Sequence, residues 1–322
     1  MDESTSRNAL SSLAGTRALV TGAAGFIGSH LCAELVEAGA EVHAVVRREF
    51  SEPVKNVRVH QLDLGDSQKT RGLFREIKPD FVFNMAGYVF GSRNVEHVQL
   101  ALMGNLMPTL NLLIAATELG CKRVILAGSL EEPDADEVTA AKCVPTSPYA
   151  ASKFAASCYA RMFHELYQLP VTIARIFMTY GPRQRDLKKL VPYTILSLLK
   201  GRVPQLGSGS RPMDWIYVED VVEGIVLLAL ADGVDGLTVD LGSGILYTGR
   251  QAVELIADLF GTRVTPVFGV VADRKLEVIR KANIVATKEA LSWSAKVSFR
   301  EGLERTIEWY RQQTETGSAR LA

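Results

Sequence analysis

Tyr149 and Lys153 stand four residues apart in Pro148-Tyr149-Ala150-Ala151-Ser152-Lys153, with further alanines behind them. A proline followed by alanines opens a helix well, and residues i and i+4 then share one face. A free phenol, with a pKa near 10, is a poor proton-transfer group at neutral pH. A neighbouring ammonium favours its anion and tunes it for acid–base work. Such a pair can give a proton to a carbonyl oxygen while a hydride reaches the carbon. Ser129 closes the apolar run Val124-Ile125-Leu126-Ala127-Gly128 and can donate a hydrogen bond to the same oxygen. The spacing alone recurs by chance in a chain of this length, where it marks a surface helix with an incidental pair, so its meaning depends on what surrounds it.

What surrounds it is a nucleotide turn. Gly22, Gly25 and Gly28 follow a short apolar run, with Phe26 and Ile27 opening the next helix. A glycine turn between strand and helix suits a dinucleotide: the first glycine makes the turn, the second lets backbone approach a pyrophosphate, and the third lets helix and sheet pack. The helix N-terminus then faces the anion. A ligand-free turn is the bland alternative. About 20 residues on, where an NAD site carries an acid and an NADP site an arginine, the chain reads Val46-Arg47-Arg48-Glu49. A guanidinium grips a phosphate bidentately, so the reading favours NADP(H). NAD(H) is the alternative, with Arg47 and Arg48 solvated and Glu49 reaching the ribose. Asp63, at the end of the third apolar run, has the chemistry to accept from an adenine amino group or to form an ordinary turn.

These residues need a frame. Ala18–Val20, Val42–Val46, Val57–Leu62, Phe81–Phe83, Val124–Ala127 and Val171–Ile176 read as strands alternating with helical segments. That pattern predicts a doubly wound parallel sheet with helices on both faces. The expected division places 13–178 and about 211–245 in a Rossmann-like dinucleotide-binding domain. Residues 179–210 and 246–315 form a smaller, mostly helical substrate lobe. The 322 residues, 47% of them hydrophobic, suffice for a large core. Lys plus Arg and Asp plus Glu both number 36, which argues against nucleic acid or an anionic membrane as partner. Cys32, Cys121, Cys143 and Cys158 show no metal or redox spacing, nor do the five histidines. The N-terminal stretch lacks a signal-peptide core, so a soluble, unprocessed cytoplasmic protein without a metal is expected.

The glycine turn, Asn84-Met85-Ala86-Gly87, Asn105, Ser129, the Tyr149/Lys153 pair, the run from Arg175 to Pro182 and that from Arg211 to Asp220 together resemble the extended short-chain dehydrogenase/reductase family. Within it they are most similar to the nucleotide-sugar epimerases, dehydratases and 4-ketoreductases. The resemblance spans about Thr16 to Tyr310. It implies that Gly22, Gly25, Phe26, Ile27, Gly28, Asp63, Leu64, Met85, Ala86, Gly87, Asn105, Tyr149 and Lys153 hold the cofactor, and that Arg183, Arg211 and Arg274 meet a nucleoside-diphosphate sugar. It also implies a homodimer packed through helices near Val95–Leu119 and Tyr149–Tyr167. Similar dehydratases carry an Asp or Ser and then a Glu after the strand-end hydroxyl, whereas this chain reads Ser129-Leu130-Glu131-Glu132-Pro133. Leu130 has no proton to give, although Glu131 remains able to abstract one. Met178 stands where an Asn is usual and Pro133 where an aromatic is. The expectation is NADPH-dependent reduction of a nucleotide-linked 4-keto-6-deoxyhexose. An NAD-dependent 4-epimerase is the rival, followed by a 4,6-dehydratase, a reductase of a non-nucleotide ketone or aldehyde, and a non-catalytic NADP-binding regulator.

Overall fold

The computed structural model describes residues 11–48, 54–133, 143–261, 264–273 and 276–316. Within these the short β-branched runs form the strands that their burial demands. β1 (Arg17–Thr21), β2 (Glu41–Val46), β3 (Val57–Gln61), β4 (Phe81–Asn84), β5 (Arg123–Ser129), β6 (Val171–Ile176) and β9 (Thr238–Leu241) make one sheet in the order β3-β2-β1-β4-β5-β6-β9. Parallel pairing runs unbroken from β3 to β6. The chain reverses direction of travel between β1 and β4, the switch point at which doubly wound sheets bind ligand beyond the strand ends.

Helices α1 (Phe26–Glu37), α2 (Ser67–Ile77), α3 (His97–Ala101), α4 (Met107–Leu119) and α5 (Pro148–Tyr167) alternate with these strands. Asp66 caps α2 by accepting from the amides of Gln68 and Lys69, and Leu73, Phe74 and Ile77 turn that helix's apolar face inward. They join Leu19, Val82, Leu112, Leu126 and Ile173 in one core, where each buried large apolar side chain contributes about 1.5–3 kcal/mol of transfer free energy. The stretch His97–Leu119 has the length and apolarity to cross a membrane, but half of it is buried among core residues.

Contacts separate two bodies. The first gathers the described residues up to Ile176 with Val222–Asp240 and Val285–Trp293; the second gathers Phe177–Val221, Leu241–Ile284 and the described residues from Ser294. The division differs from the expected one. Residues 211–221 and 241–245 belong to the second body, because β8 (Pro212–Tyr217) pairs there with β7 (Met178–Tyr180) and β10 (Leu246–Thr248). Val285–Trp293 returns to the first body, where Thr287 bonds the carbonyl of Asp240 and Trp293 bonds Glu223. The second body is also less purely helical than expected, since that three-stranded sheet packs with α6 (Leu190–Leu199), α8 (Gly249–Phe260) and α10 (Phe299–Glu315) around Tyr180, Trp215, Ile256 and Leu303. Two further helices, α7 (Val218–Leu230) and α9 (Ile284–Leu291), complete the α-helices among the described residues.

Candidate active site

The glycine turn is built as its residue types require. Gly22 holds φ +65, a left-handed conformation that other residues adopt at a cost. A Cβ there would stand 2.7 Å from the amide nitrogen of Ala86. A Cβ on Gly28 would run into the carbonyl of Gly22, so helix and turn meet only because both lack side chains. Gly25 caps α1 with no side chain to occupy the free amides, which leaves them for an anion. The cradle therefore fits a dinucleotide pyrophosphate. Arg47 and Arg48, just past β2, are exposed; Glu49 lies outside the described residues. Asp63 is exposed, its Oδ1 accepting from Gly65 N at 2.9 Å. Asn111 Nδ2 donates to the carbonyls of Leu64 and Gly65, so α4 fixes the loop that carries Asp63 and Leu64.

A buried polar network ties the ends of β1 and β4. Thr21 Oγ1 donates to Asn84 Oδ1 at 2.7 Å and accepts from Ala86 N at 3.0 Å; Asn84 Nδ2 donates to Thr109 Oγ1 at 3.0 Å. Fully satisfied networks of this kind fix one arrangement, here that of Met85, Ala86 and Gly87. Asn105 lies in a π-helical turn, Leu102–Leu106, between α3 and α4. Such turns recur at functional sites. Its Oδ1 accepts from Tyr88 N at 2.6 Å, and its Nδ2 donates to Tyr88 O and to Ser152 Oγ. Asn105 is thereby committed to holding the loop after β4 against α5.

α5 starts where the sequence says it must. Ser147 Oγ accepts from Ala150 N at 3.0 Å, and Pro148 takes the first turn. The helix brings Lys153 beneath β5, where Nζ donates to Ala127 O at 2.8 Å. A Cβ on Gly87 would lie 2.9 Å from Asn105 Oδ1 and 3.5 Å from Lys153 Nζ, so the bare backbone keeps the space over the lysine open. The Ser129 side chain lies close enough to the Tyr149 phenol to draw its pKa down. Tyr149 and Lys153 thus both lie against the end of β5 that carries Ser129.

Burial sets their electrostatics. It drives the Tyr149 phenol well above its ordinary value, aided by the charges of Glu131 and Glu132 and opposed by the Ser129 side chain. At neutral pH the phenol keeps its proton and stands ready as a donor. Burial also lowers Lys153, against which Glu132 works. Glu131 N donates to Ser129 Oγ at 3.2 Å, and Glu131 Oε2 accepts from Ser147 Oγ at 3.4 Å. Leu130 is buried. The site residue that sequence reasoning passed over is Glu132, 4% exposed, whose Oε1 accepts from Ser129 N at 2.6 Å. Its place in the Ser-x-Glu-Glu pattern was visible, but not its burial.

The second body holds a cavity of about 590 Å³ lined by Lys188, Lys189, Arg211, Trp215, Asp273 and Glu277 among others, a size suited to a small-molecule site. Arg211 lies in its wall, pinned by Glu277 at 3.1 Å and by the Val278 carbonyl at 2.6 Å. Met178 lines the same cavity. Arg183 is exposed at φ +63, and Arg274 lies outside the described residues. Among the described residues no group of three metal-ligating side chains converges.

Residues 18–242 match the profile of the NAD dependent epimerase/dehydratase family. A UDP-glucose 4-epimerase of Mycolicibacterium smegmatis is 30% identical over 93% of this chain and 100% of its own length. Among solved structures, a UDP-glucose 4-epimerase with UDP-glucose from Thermotoga maritima superposes with TM-score 0.84 at 27% identity, covering 92% of this chain and 99% of that one. A dTDP-glucose 4,6-dehydratase from Streptomyces venezuelae with NAD bound gives TM-score 0.80 at 28% identity, over 93% and 98%.

Proposed function

The chain belongs to the NAD-dependent epimerase/dehydratase family, and from that premise we propose that it uses NADPH to reduce the keto group of a nucleotide-linked 4-keto-6-deoxyhexose. The carrying observation is Leu130: where similar dehydratases place an acid or hydroxyl, a buried aliphatic side chain follows Ser129. Water elimination then lacks its proton donor, while carbonyl reduction needs only Ser129, Tyr149 and Lys153. Arg47 and Arg48 beyond β2 support a phosphorylated cofactor.

Gly22, Gly25, Phe26, Ile27, Gly28, Met85, Ala86, Gly87 and Asn105 line the dinucleotide cradle, Arg47 and Arg48 meet the 2′-phosphate, and Asp63 and Leu64 meet the adenine. A bound reduced nicotinamide supplies the hydride that adds to the keto carbon. Ser129 donates a hydrogen bond to the keto oxygen, and Tyr149 passes its proton to that oxygen as it gains charge, which leaves an alcohol and a phenolate. Lys153 offsets the phenolate and orients the nicotinamide ribose. The substrate diphosphate falls to Arg211, with Arg183 and Arg274 as its companions. Glu131 stands by as an acid–base group at the sugar. A cytoplasmic homodimer through helices near 97–119 and α5 completes the proposal, supported by exposed Val98, Leu100, Met103, Leu166 and Tyr167 on those segments.

The direct test is consumption of NADPH with a panel of 4-keto-6-deoxyhexose nucleotides. Turnover of none of them overturns the reading. The second reading, a 4-epimerase using the same three residues, draws on the epimerases among its relatives. It predicts protein that purifies with unexchanged NAD and interconverts sugar nucleotides without added cofactor.

A further inference from the structure

Neither reduction nor epimerisation gives Glu132 a step, yet it is 4% exposed beside the reacting residues. A carboxylate taken out of water is held only where it is paired and hydrogen-bonded. Its Oε1 accepts from Ser129 N at 2.6 Å, short even for a charge-assisted bond. It also packs on the end of β5, for a Cβ on Gly128 would lie 3.1 Å from the same oxygen. The charges that face it come from every neighbouring element. Lys153 and Tyr149 come from α5, Glu131 lies on the same loop, and Arg175 belongs to β6. Arg175 is anchored in turn, its Nε 2.6 Å from Asp240 Oδ1 on β9.

We propose that Glu132 is a positioning residue whose carboxylate clamps the backbone of Ser129, and so its hydroxyl, and stands as the fixed counter-charge that keeps Lys153 an ammonium. The proposal rests on the assignment of Ser129, Tyr149 and Lys153 to the reaction. Burial raises the pKa of Glu132, while the Ser157 hydroxyl, the Ser129 amide and the charges of Lys153 and Arg175 pull the other way and favour the carboxylate.

Glu132→Gln keeps one oxygen as acceptor for Ser129 N, removes the charge and makes the other oxygen's place a donor. Without it Lys153, already lowered by burial, gives up its proton at lower pH. The alkaline limb of kcat is expected to move down by about one pH unit, so kcat on that limb falls about tenfold relative to wild type. NADPH affinity, followed by fluorescence titration, stays at the wild-type value at pH 6.5 and weakens several-fold at pH 9. A merely structural role would lower kcat evenly across pH. An unmoved alkaline limb and pH-independent NADPH affinity in E132Q overturn the counter-charge. Glu132→Asp retains the charge but withdraws it from the Ser129 amide. Here kcat should fall at least tenfold with KM unchanged, and a wild-type kcat overturns the clamp even if E132Q does not fold. Tyr149→Phe, assayed alongside, separates the claims. Turnover surviving in Y149F removes the site assignment, whereas a dead Y149F beside an unshifted E132Q removes only the role of Glu132.

Discussion

Tyr149 carries the proton that the proposed reaction consumes, and its neighbours show why a phenol can do so in this place. Burial and two nearby carboxylates hold it protonated, so it is supplied as an acid. It becomes a useful one only when charge develops on a substrate oxygen beside it, and the Lys153 ammonium then offsets the phenolate that remains. Tyr149→Phe keeps the ring and loses the donor. Turnover should fall by at least 10²- to 10⁴-fold, the usual worth of a placed acid–base group, with the NADPH dissociation constant within about twofold of wild type. Unchanged turnover would remove Tyr149 from the mechanism. At this scale the sequence was readable wherever placement follows from fixed local spacing: Tyr149 and Lys153 lie one helical turn apart, and Ser129 ends an apolar run. Glu132 was not readable in the same way. Its role depends on the loop after β5 folding back so that a charge is buried under its own strand end, and no periodicity encodes that.

Glycine at 28 and aspartate at 214 show how elements are joined. A Cβ at position 28 would strike the Gly22 carbonyl, so Gly28→Ala must push α1 away from the turn. Overpacking of this kind costs about 1–3 kcal/mol, and the displaced helix N-terminus should weaken cofactor binding at least tenfold. A thermal melt and a cofactor titration check both parts, and wild-type affinity in G28A would show that the turn does not seat the pyrophosphate. In the second body Asp214 is 1% exposed and accepts from Ser243 N, Ser243 Oγ, Gly244 N and Ala282 N. It thus pins two loops to β8. Asp214→Asn turns one acceptor oxygen into a donor facing amides, at a cost of about 3 kcal/mol for lost charge-assisted bonds and stranded N–H groups. Denaturant unfolding would read this as a lower midpoint, and a midpoint equal to wild type would mean that the loops hold by other contacts. Six strands of the large sheet were legible because each is a short apolar run between helical segments; β9, four residues long at the far edge, was not. β7 and β10 were not, since three residues each are too few to show alternation, and they form only because β8 lies between them. The π turn at Leu102–Leu106 was equally hidden, for it answers to the demand of Asn105 on the loop after β4 rather than to any residue preference.

For the molecule as a whole, equal numbers of basic and acidic residues mean that no general field draws in an anionic cofactor. Discrimination between NADPH and NADH must then come from local cations, and Arg47 and Arg48 follow β2 at the place where a ribose phosphate would lie. Binding to the native state alone stabilises it by mass action, about 2.7 kcal/mol at a concentration 100 times the dissociation constant. For a chain of this size that is a rise in Tm of several degrees. NADPH should therefore raise Tm several degrees more than NADH at the same concentration, and an Arg47→Ala/Arg48→Ala double variant should erase that difference. The NADH response should stay as it was, because the rest of the cradle is untouched. The added stabilisation by NADPH should also shrink with ionic strength, since exposed guanidinium–phosphate contacts are screened over about 10 Å at 0.1 M salt. An NADH shift equal to or larger than the NADPH shift in the wild type would make the arginines idle. The balance would then move to the rival reaction, in which a cofactor is oxidised and reduced within one cycle and never leaves.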